Sequence, residues 1–424
     1  MKQTGLKWCP FVPDDWDVLP AKQIFIKNKR EVSEGDEVVT CFRDGEVTLR
    51  KNRRATGFTE SEEFAGFQGV RVNDLVVHQM DAFAGSIGVS DSDGMCTSVY
   101  HCCTPIKEQN VHYFKYLLRY MAMSGYIASL GKGIRERSTD FSFNIFGRQL
   151  LVIPPIGTQN KIARYLDDKI SEINAGIADR EKERSLLKLF KRAKVTEVVM
   201  RGLQKNVHLK DSGVAIIGLI PEHWEVRRIK DVVSEIFMGA TPEYEYDEEN
   251  ENFIIGQRNN QSGSVTFDGV KYAKDGFFRT RSEYEFLRYG DVLLNTLGGG
   301  SVGRAGFYDL SSEKQVITDG HIMVLRSNSF NTKFMYYYLL SLREYLENLA
   351  IGSTNQAFFN ISDIRMLHVV EPPIDEQQGI AEYLDGECRL IDEKCALIDE
   401  QIAKLQLLKR ALVKEVVTGK RQIQ

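Results

Sequence analysis

The sequence predicts an α+β fold: two globular segments separated by two long helices, the whole built as an internal repeat. Three observations carry that prediction. PPIDEQQGIAEYLDGE, beginning at Pro372, nearly copies PPIGTQNKIARYLDDK at Pro154, with nine of sixteen positions identical. The similarity runs on, since KRALVKEVV at Lys409 answers KRAKVTEVV at Lys191 at the same separation of 218 residues. Apolar residues after each Pro-Pro recur at three- and four-residue steps, which is the spacing of a helical seam.

In chain order, the first landmark is KQTGLKWCPFVPDDWDV from Lys2, matched by KDSGVAIIGLIPEHWEV from Lys210. Next, NDLVVHQMDAFAGSIGV from Asn73 resembles GDVLLNTLGGGSVGRAGF from Gly290, and VHYFKYLLRYMAMSGYI resembles the helical TKFMYYYLLSLREYLENL. A Phe-Asn-Ile precedes each Pro-Pro, at Phe143–Ile145 and Phe359–Ile361. VTFDGVKYA, DVLLNTL, AGFYDL and IMVLRS have strand character, punctuated by Gly and Asn. No βαβ alternation occurs, so a doubly wound parallel sheet is not expected.

The long helices follow Pro-Pro, which cannot sit inside a helix. The second carries Ile380, Leu384, Cys388, Ile391, Cys395, Ile398, Ile402, Leu405, Leu408, Leu412 and Val416 as its seam. The first carries Ile162, Leu166, Ile170, Ile173, Ile177, Leu187 and Val198, interrupted by Arg180 and Arg184. Each is expected to run about 40 residues, or roughly 60 Å. Two such stripes in one chain most simply bury each other; the alternative is that each packs on its own globular segment. The resulting division is 1–153 and 206–371 as globular segments, with 154–205 and 372–424 as helices.

Composition narrows the function classes. With 424 residues and 42% hydrophobic content the chain reads as globular, and a net charge of −4 excludes a uniformly basic coat but not local basic patches. Seven cysteines without a CxxC pair fit neither a disulfide framework nor a zinc site. The start MKQTGLKWCPFVPDDWDV lacks an apolar signal region, and no run approaches 18 apolar residues, so a cytoplasmic, soluble protein is expected.

Several motifs offer catalysis only superficially. GGGSVG at Gly298 satisfies G-x-G-x-x-G, but RAGFYDL reads on as strand where a dinucleotide loop would open a helix. The Pro-Pro pairs lack the amide acceptor and stacking ring of an amino-methyltransferase site. The acidic run EYEYDEENE from Glu243 has no metal-site spacing and reads as a solvated loop.

The order and duplication of these landmarks resemble the specificity subunit of type I restriction-modification enzymes. The likeness rests on Ile220, Pro221 and Trp224 (Val12, Pro13 and Trp16 in the first half), Gly-Asp-Val-Leu at Gly290, Gly-Ser-Thr at Gly352, and Pro-Pro-x-x-x-Gln-x-x-Ile-Ala-x-x-Leu-Asp twice. Asn73-Asp74 in place of Gly-Asp, and GKGIRERST in place of GSTNQ, depart from it. The resemblance implies two target recognition domains, each reading half of a bipartite double-stranded DNA sequence, on an antiparallel helical spacer. It implies two methyltransferase subunits and a restriction/translocase subunit as partners. No cofactor is implied for this chain; S-adenosylmethionine, ATP and Mg are implied for the partners. The repeated phrase would then present one surface to two identical partners.

Candidate DNA contacts are the clusters of basic and amide side chains, whose donors and acceptors suit phosphates and base edges. In the first half these are Arg50, Lys51, Arg53 and Arg54, then Lys132, Arg135 and Arg137. In the second they are Gln257, Arg258, Asn259, Asn260 and Gln261, with Arg279, Arg281, Asn355 and Gln356. The bland alternative for each is ordinary solvated surface. Two rival functions are an adenine methyltransferase and a repeat adaptor with no nucleic-acid role.

Overall fold

The computed structural model describes residues 1–53, 66–130, 140–241, 244–245, 253–261, 264–273, 276–310, 315–351 and 357–423. The chain divides into two compact units, one of residues 1–181 with 399–424 and the other of residues 182–398. The cut passes through both long helices, so each unit holds one globular segment and part of each helix. That differs from the expected four-part division.

The repeat extends to topology. The first unit's main sheet runs, edge to edge, Phe25–Asn28, Tyr100–Pro105, Leu75–His78 and Ile87–Val89. In the second unit Glu235–Met238, Ile322–Arg326, Val292–Asn295 and Ala305–Phe307 stand in the same order. Both sheets are antiparallel throughout. Each is covered by an aromatic-rich helix, Val111–Met123 or Thr332–Ser341, capped by the side chain of Asn110 or Asn331. Tyr113, Phe114, Phe334 and Tyr338 are fully buried there. The units diverge beyond this frame. The first adds two-stranded pairs, whereas the second adds a four-stranded sheet containing the parallel pair Phe253–Ile255 and Val316–Thr318.

The landmark residues hold this frame. Asp74 and Asp291 are both buried; each accepts a backbone N–H three residues back, from Arg71 (2.9 Å) and Arg288 (2.8 Å). Asp74 also pairs with Arg30, and Asp291 with Arg326 at 2.7 Å. Asn73 and Gly290 precede them with φ of 69° and 93°, so the departure from Gly-Asp is one turn built twice. Asn and Gly are the residues that enter the left-handed region at least cost.

The Phe-Asn-Ile match needs a correction of two residues. Phe141 donates its N–H to Gln79 O at 3.0 Å and Phe359 to Thr296 O at 3.2 Å, both beside short helices that start at Phe143 and Ile361. Structure therefore equates Phe141 with Phe359 and Ser142 with Asn360.

The long helices are Ile156–Arg201 and Ile374–Val417, 46 and 44 residues. Pro155 and Pro373 precede them, where a missing N–H is harmless. Within the first unit they run antiparallel: Arg421 lies over Tyr165, Lys409 donates to Asn174 at 2.7 Å, and Leu405 faces Gly176. Within the second unit Lys191 pairs with Asp392 and Lys194 lies over Tyr383, again antiparallel.

Both packing alternatives are realised. Ile162 and Leu166 belong to the first globular core, as Ile380, Leu384 and Cys388 belong to the second. Further along, Ile170, Ile173 and the partly buried Ile177 meet Leu405, Leu412 and Val413. Ile391, Cys395, Ile398 and Ile402 are buried, Leu187 is half-buried, and Leu408 is exposed and drops out of the seam. Each helix ends on a left-handed glycine, Gly202 or Gly419, closed over by Trp224 or Trp16.

Candidate nucleic-acid interface

Part of the Pro-Pro phrase is spent inside the molecule. Gln159 and Gln377 are 1% and 2% exposed. Each side-chain oxygen accepts the backbone N–H of the helix-capping Asn110 or Asn331 at 2.9 Å. Each amide donates to the carbonyl of Pro154 or Pro372, at 2.9 and 2.8 Å. About two turns on, Asp167 and Asp385 accept from Tyr116 and Tyr337 hydroxyls, both at 2.6 Å. The repeated Gln, Leu and Asp therefore bolt each helix to its own globular segment. The buried identities of the phrase thus serve the interior, since a buried amide with its bonds satisfied is not offered outward, while Pro155, Pro373 and Ile374 stay exposed.

The basic cluster of the first unit is largely neutralised. Lys51 pairs with Glu37; Arg53 pairs with Asp44 at 2.6 Å and Glu46 at 2.9 Å and lies over Phe42. Arg50 is half-buried, with Nε 3.3 Å from Thr40 Oγ1. Arg54, Lys132, Arg135, Arg137, Asn355, Gln356 and the acidic run apart from Tyr244 and Glu245 lie outside the described residues.

In the second unit the structure separates the amide cluster. Asn259 and Asn260 are 2% and 0% exposed. Asn259 accepts from Gly256 N–H and donates to Asp268 O; Asn260 donates to Asn295 Oδ1 at 2.8 Å. Both side chains are turned inward, bonded to backbone and side-chain groups beneath the hairpin rather than offered to solvent. Gln257 is half-buried and donates to Leu297 O at 2.8 Å. Arg281 is held over Phe277 and near Glu285.

Arg258, Gln261 and Arg279 remain on the outside. Gln261 Oε1 accepts from Arg304 Nη1 at 3.0 Å, while its amide donates to Arg258 O. The Arg304 guanidinium thus holds the Asn260–Gln261/Ser264–Val265 hairpin, while that of Arg258 lies against Gly269. Arg304 also donates to Gly300 O at 2.7 Å, fastening the GGGSVG turn to that hairpin. The turn leads into the strand Ala305–Phe307, so no helix N-terminus is there to receive a phosphate. Arg304 was hidden from sequence reasoning because it stands at the end of a stretch that reads as a turn. Nearby, burial raises the Asp319 carboxyl, opposed by the N–H it accepts from His321. Among the described residues no group of His, Cys, Asp and Glu could hold a metal ion.

Residues 221–406 match the family of type I restriction modification DNA specificity domains. The chain is 23% identical over 428 residues to the type I restriction enzyme MjaVIII specificity subunit of Methanocaldococcus jannaschii, covering 96% of this chain and 93% of that protein. It is 26% identical over 213 residues to the putative type I restriction enzyme MjaX specificity subunit of the same organism, covering 48% of this chain and 47% of that one. A solved structure concerned with complex assembly and conformational transition of the type I R-M system shares the fold, with TM-score 0.73 and 16% identity over 97% of this chain and 100% of that one. The chain is thus similar along nearly its whole length to a type I restriction enzyme specificity subunit, and its residues 221–406 match the DNA specificity domain of that family.

Proposed function

We propose that this chain reads DNA sequence for a type I restriction-modification complex, one globular segment per half of a bipartite target. The observation that carries the reading is a specificity domain at 221–406 whose frame, down to its Gln, Asp and Asn locks, occurs a second time in the same chain. Two half-sites on one duplex need two readers joined at a set separation. A conserved frame with divergent additional sheets suits that need, since the frame is common while the read sequence differs.

The chain itself performs no chemistry in this reading. Methyltransferase subunits supply S-adenosylmethionine chemistry, and a restriction/translocase subunit supplies ATP- and Mg-dependent cleavage. A DNA substrate puts the work in the cytoplasm, and among the described residues no helix is long and apolar enough to cross a membrane.

The test exchanges residues 20–150 for the equivalent segment of another specificity subunit and maps methylated sites genome-wide. One half-site should change and the other persist; joint change of both sinks the two-reader scheme. If the purified chain alone binds S-adenosylmethionine, the methyltransferase rival is favoured instead.

A further inference from the structure

The two units treat the same pair of cations differently. In the second, Lys191 pairs with Asp392 at 2.7 Å and Arg192 with Glu344. The repeat places Lys409 and Arg410 at those positions in the first unit, but Asn174 stands where Asp392 would and Met123 where Glu344 would. Lys409 donates to that Asn174 at 2.7 Å. A third cation is added, since Arg119 takes the place of Leu340, counted from the capping asparagines. Among the described residues none of Arg119, Lys409 and Arg410 has a carboxylate ion-pair partner. The charge of Asp44 reaches Arg119 and Lys409, but its carboxylate is already held by Arg53 at 2.6 Å.

All three cations line a cavity of about 500 Å³, bounded by both long helices, the sheet-covering helix and the turn Asp44–Glu46, within the first unit. Arg119 is fixed there. Its Nη1 donates to Gly85 O and to Arg43 O at 3.4 Å, and Gly45, at a φ of 90°, leaves room for it: a Cβ there would stand 2.0 Å from Nη1. Nε and Nη2 donate to nothing among the described residues. Burial pulls Arg119 and Lys409 below their usual pKa, and the charge of Arg119 adds to the fall at Lys409. Cations so placed lose water and repel each other; an anion between them relieves both costs.

We infer that this cavity binds a small sugar phosphate, free or as part of a nucleotide, with its phosphoryl group between Arg119 and Lys409. Three uncompensated cations exceed one carboxylate, whereas a phosphomonoester carries about −1.5 to −2 at pH 7 and three strong acceptor oxygens. The volume suits a small-ligand site and leaves room for a body beyond the phosphoryl group. Ile170, Ile177 and Val413 give that body an apolar wall, while Glu46, Asn174 and Gln406 offer polar groups to its hydroxyls. The second unit neutralises the matching cations, so one ligand per chain is expected. Nothing in the DNA-reading scheme requires this site.

Isothermal titration calorimetry of the full chain tests it with AMP and ribose 5-phosphate, against adenosine and ribose. One molecule of either phosphate should bind per chain, and neither uncharged compound. Tighter binding of AMP assigns a nucleotide; equal or tighter binding of ribose 5-phosphate assigns the sugar phosphate alone. Asn174→Asp gives Lys409 the carboxylate that Lys191 has, and Arg119→Leu installs the side chain of position 340. Each should weaken binding by about tenfold to a hundredfold, and Asn174→Asp should melt no lower than the unaltered chain. If Arg119→Leu fails to fold, Asn174→Asp decides. Lys191→Met, in the second unit, should leave the affinity unchanged. The inference is overturned by no binding of either phosphate, by two sites per chain, by unchanged affinity in Asn174→Asp, or by an equal loss in Lys191→Met. It is also overturned if adenosine or ribose binds as well as the phosphates. If a short DNA duplex displaces AMP and is weakened by the same factor in Asn174→Asp, the cavity takes a backbone phosphate and the small ligand is wrong.

Discussion

His101 is 1% exposed, and its Nε2–H donates to Phe141 O at 3.0 Å, on the rung that positions the short helix after it. Burial lowers its pKa from the usual 6.5 to about 4, partly opposed by that hydrogen bond. The folded chain therefore refuses a proton that the unfolded chain accepts. Stability is unaffected above pH 6.5 and falls as pH drops from there toward 4, by a few kcal/mol at most. Chemical denaturation between pH 7 and 4.5 should show this slope reduced in His101→Gln, which can still donate to Phe141 O; an identical slope would remove His101 as its source. Arg258 poses a different question at the same scale. It is exposed without an ion pair among the described residues, whereas Lys51 is already paired with Glu37. Arg258→Ala should weaken specific DNA binding by about 1–3 kcal/mol and Lys51→Ala by much less. Equal losses in a filter-binding titration would contradict the role given to the Arg258 hairpin. Glu248, in the acidic run, lies outside the described residues.

Among elements, the junction between sheet-covering helix and long helix depends on one glutamine. Truncating Gln377 would strand the N–H of Asn331 and the carbonyl of Pro372 in a buried place. Each stranded group costs about 1–3 kcal/mol, so Gln377→Ala should destabilise the second unit by roughly 2–6 kcal/mol. Urea denaturation followed at Trp224, the tryptophan of that unit, measures it; a midpoint within error of wild type would mean the clamp is dispensable. The periodicity after Pro-Pro was visible in sequence, and so were both helix starts. Which stripe residues meet the partner helix was not, because Ile162 and Ile380 obey the same spacing as Ile173 yet face a globular core. Leu408 obeys it too and faces solvent. Spacing reports which residues share a face; it does not report what lies opposite.

For the whole molecule, the central helix continues unbroken from the first compact unit into the second. Four residues inserted after Ala178 add one turn and a fraction, about 6 Å, and nearly preserve the apolar face. At about 3.4 Å per base pair, the variant is expected to keep both half-sites and lengthen the unread gap by one or two base pairs. Methylated-motif mapping would show it, and an unchanged gap in an active variant would assign the spacing to the docked subunits instead. At this scale the sequence by itself was decisive about the duplication and the two long helices. Each is written in order and period along the chain, and neither needs knowledge of a distant neighbour. Only the tertiary structure decided that the repeated Gln faces inward, that Asn259 and Asn260 are buried, and that Arg304 holds Gln261. A hydrophilic side chain is equally at home in water or in a satisfied buried bond. Its partner comes from elsewhere in the chain, Asn331 for Gln377 or Gln261 for Arg304, and that pairing exists only once the backbone has closed.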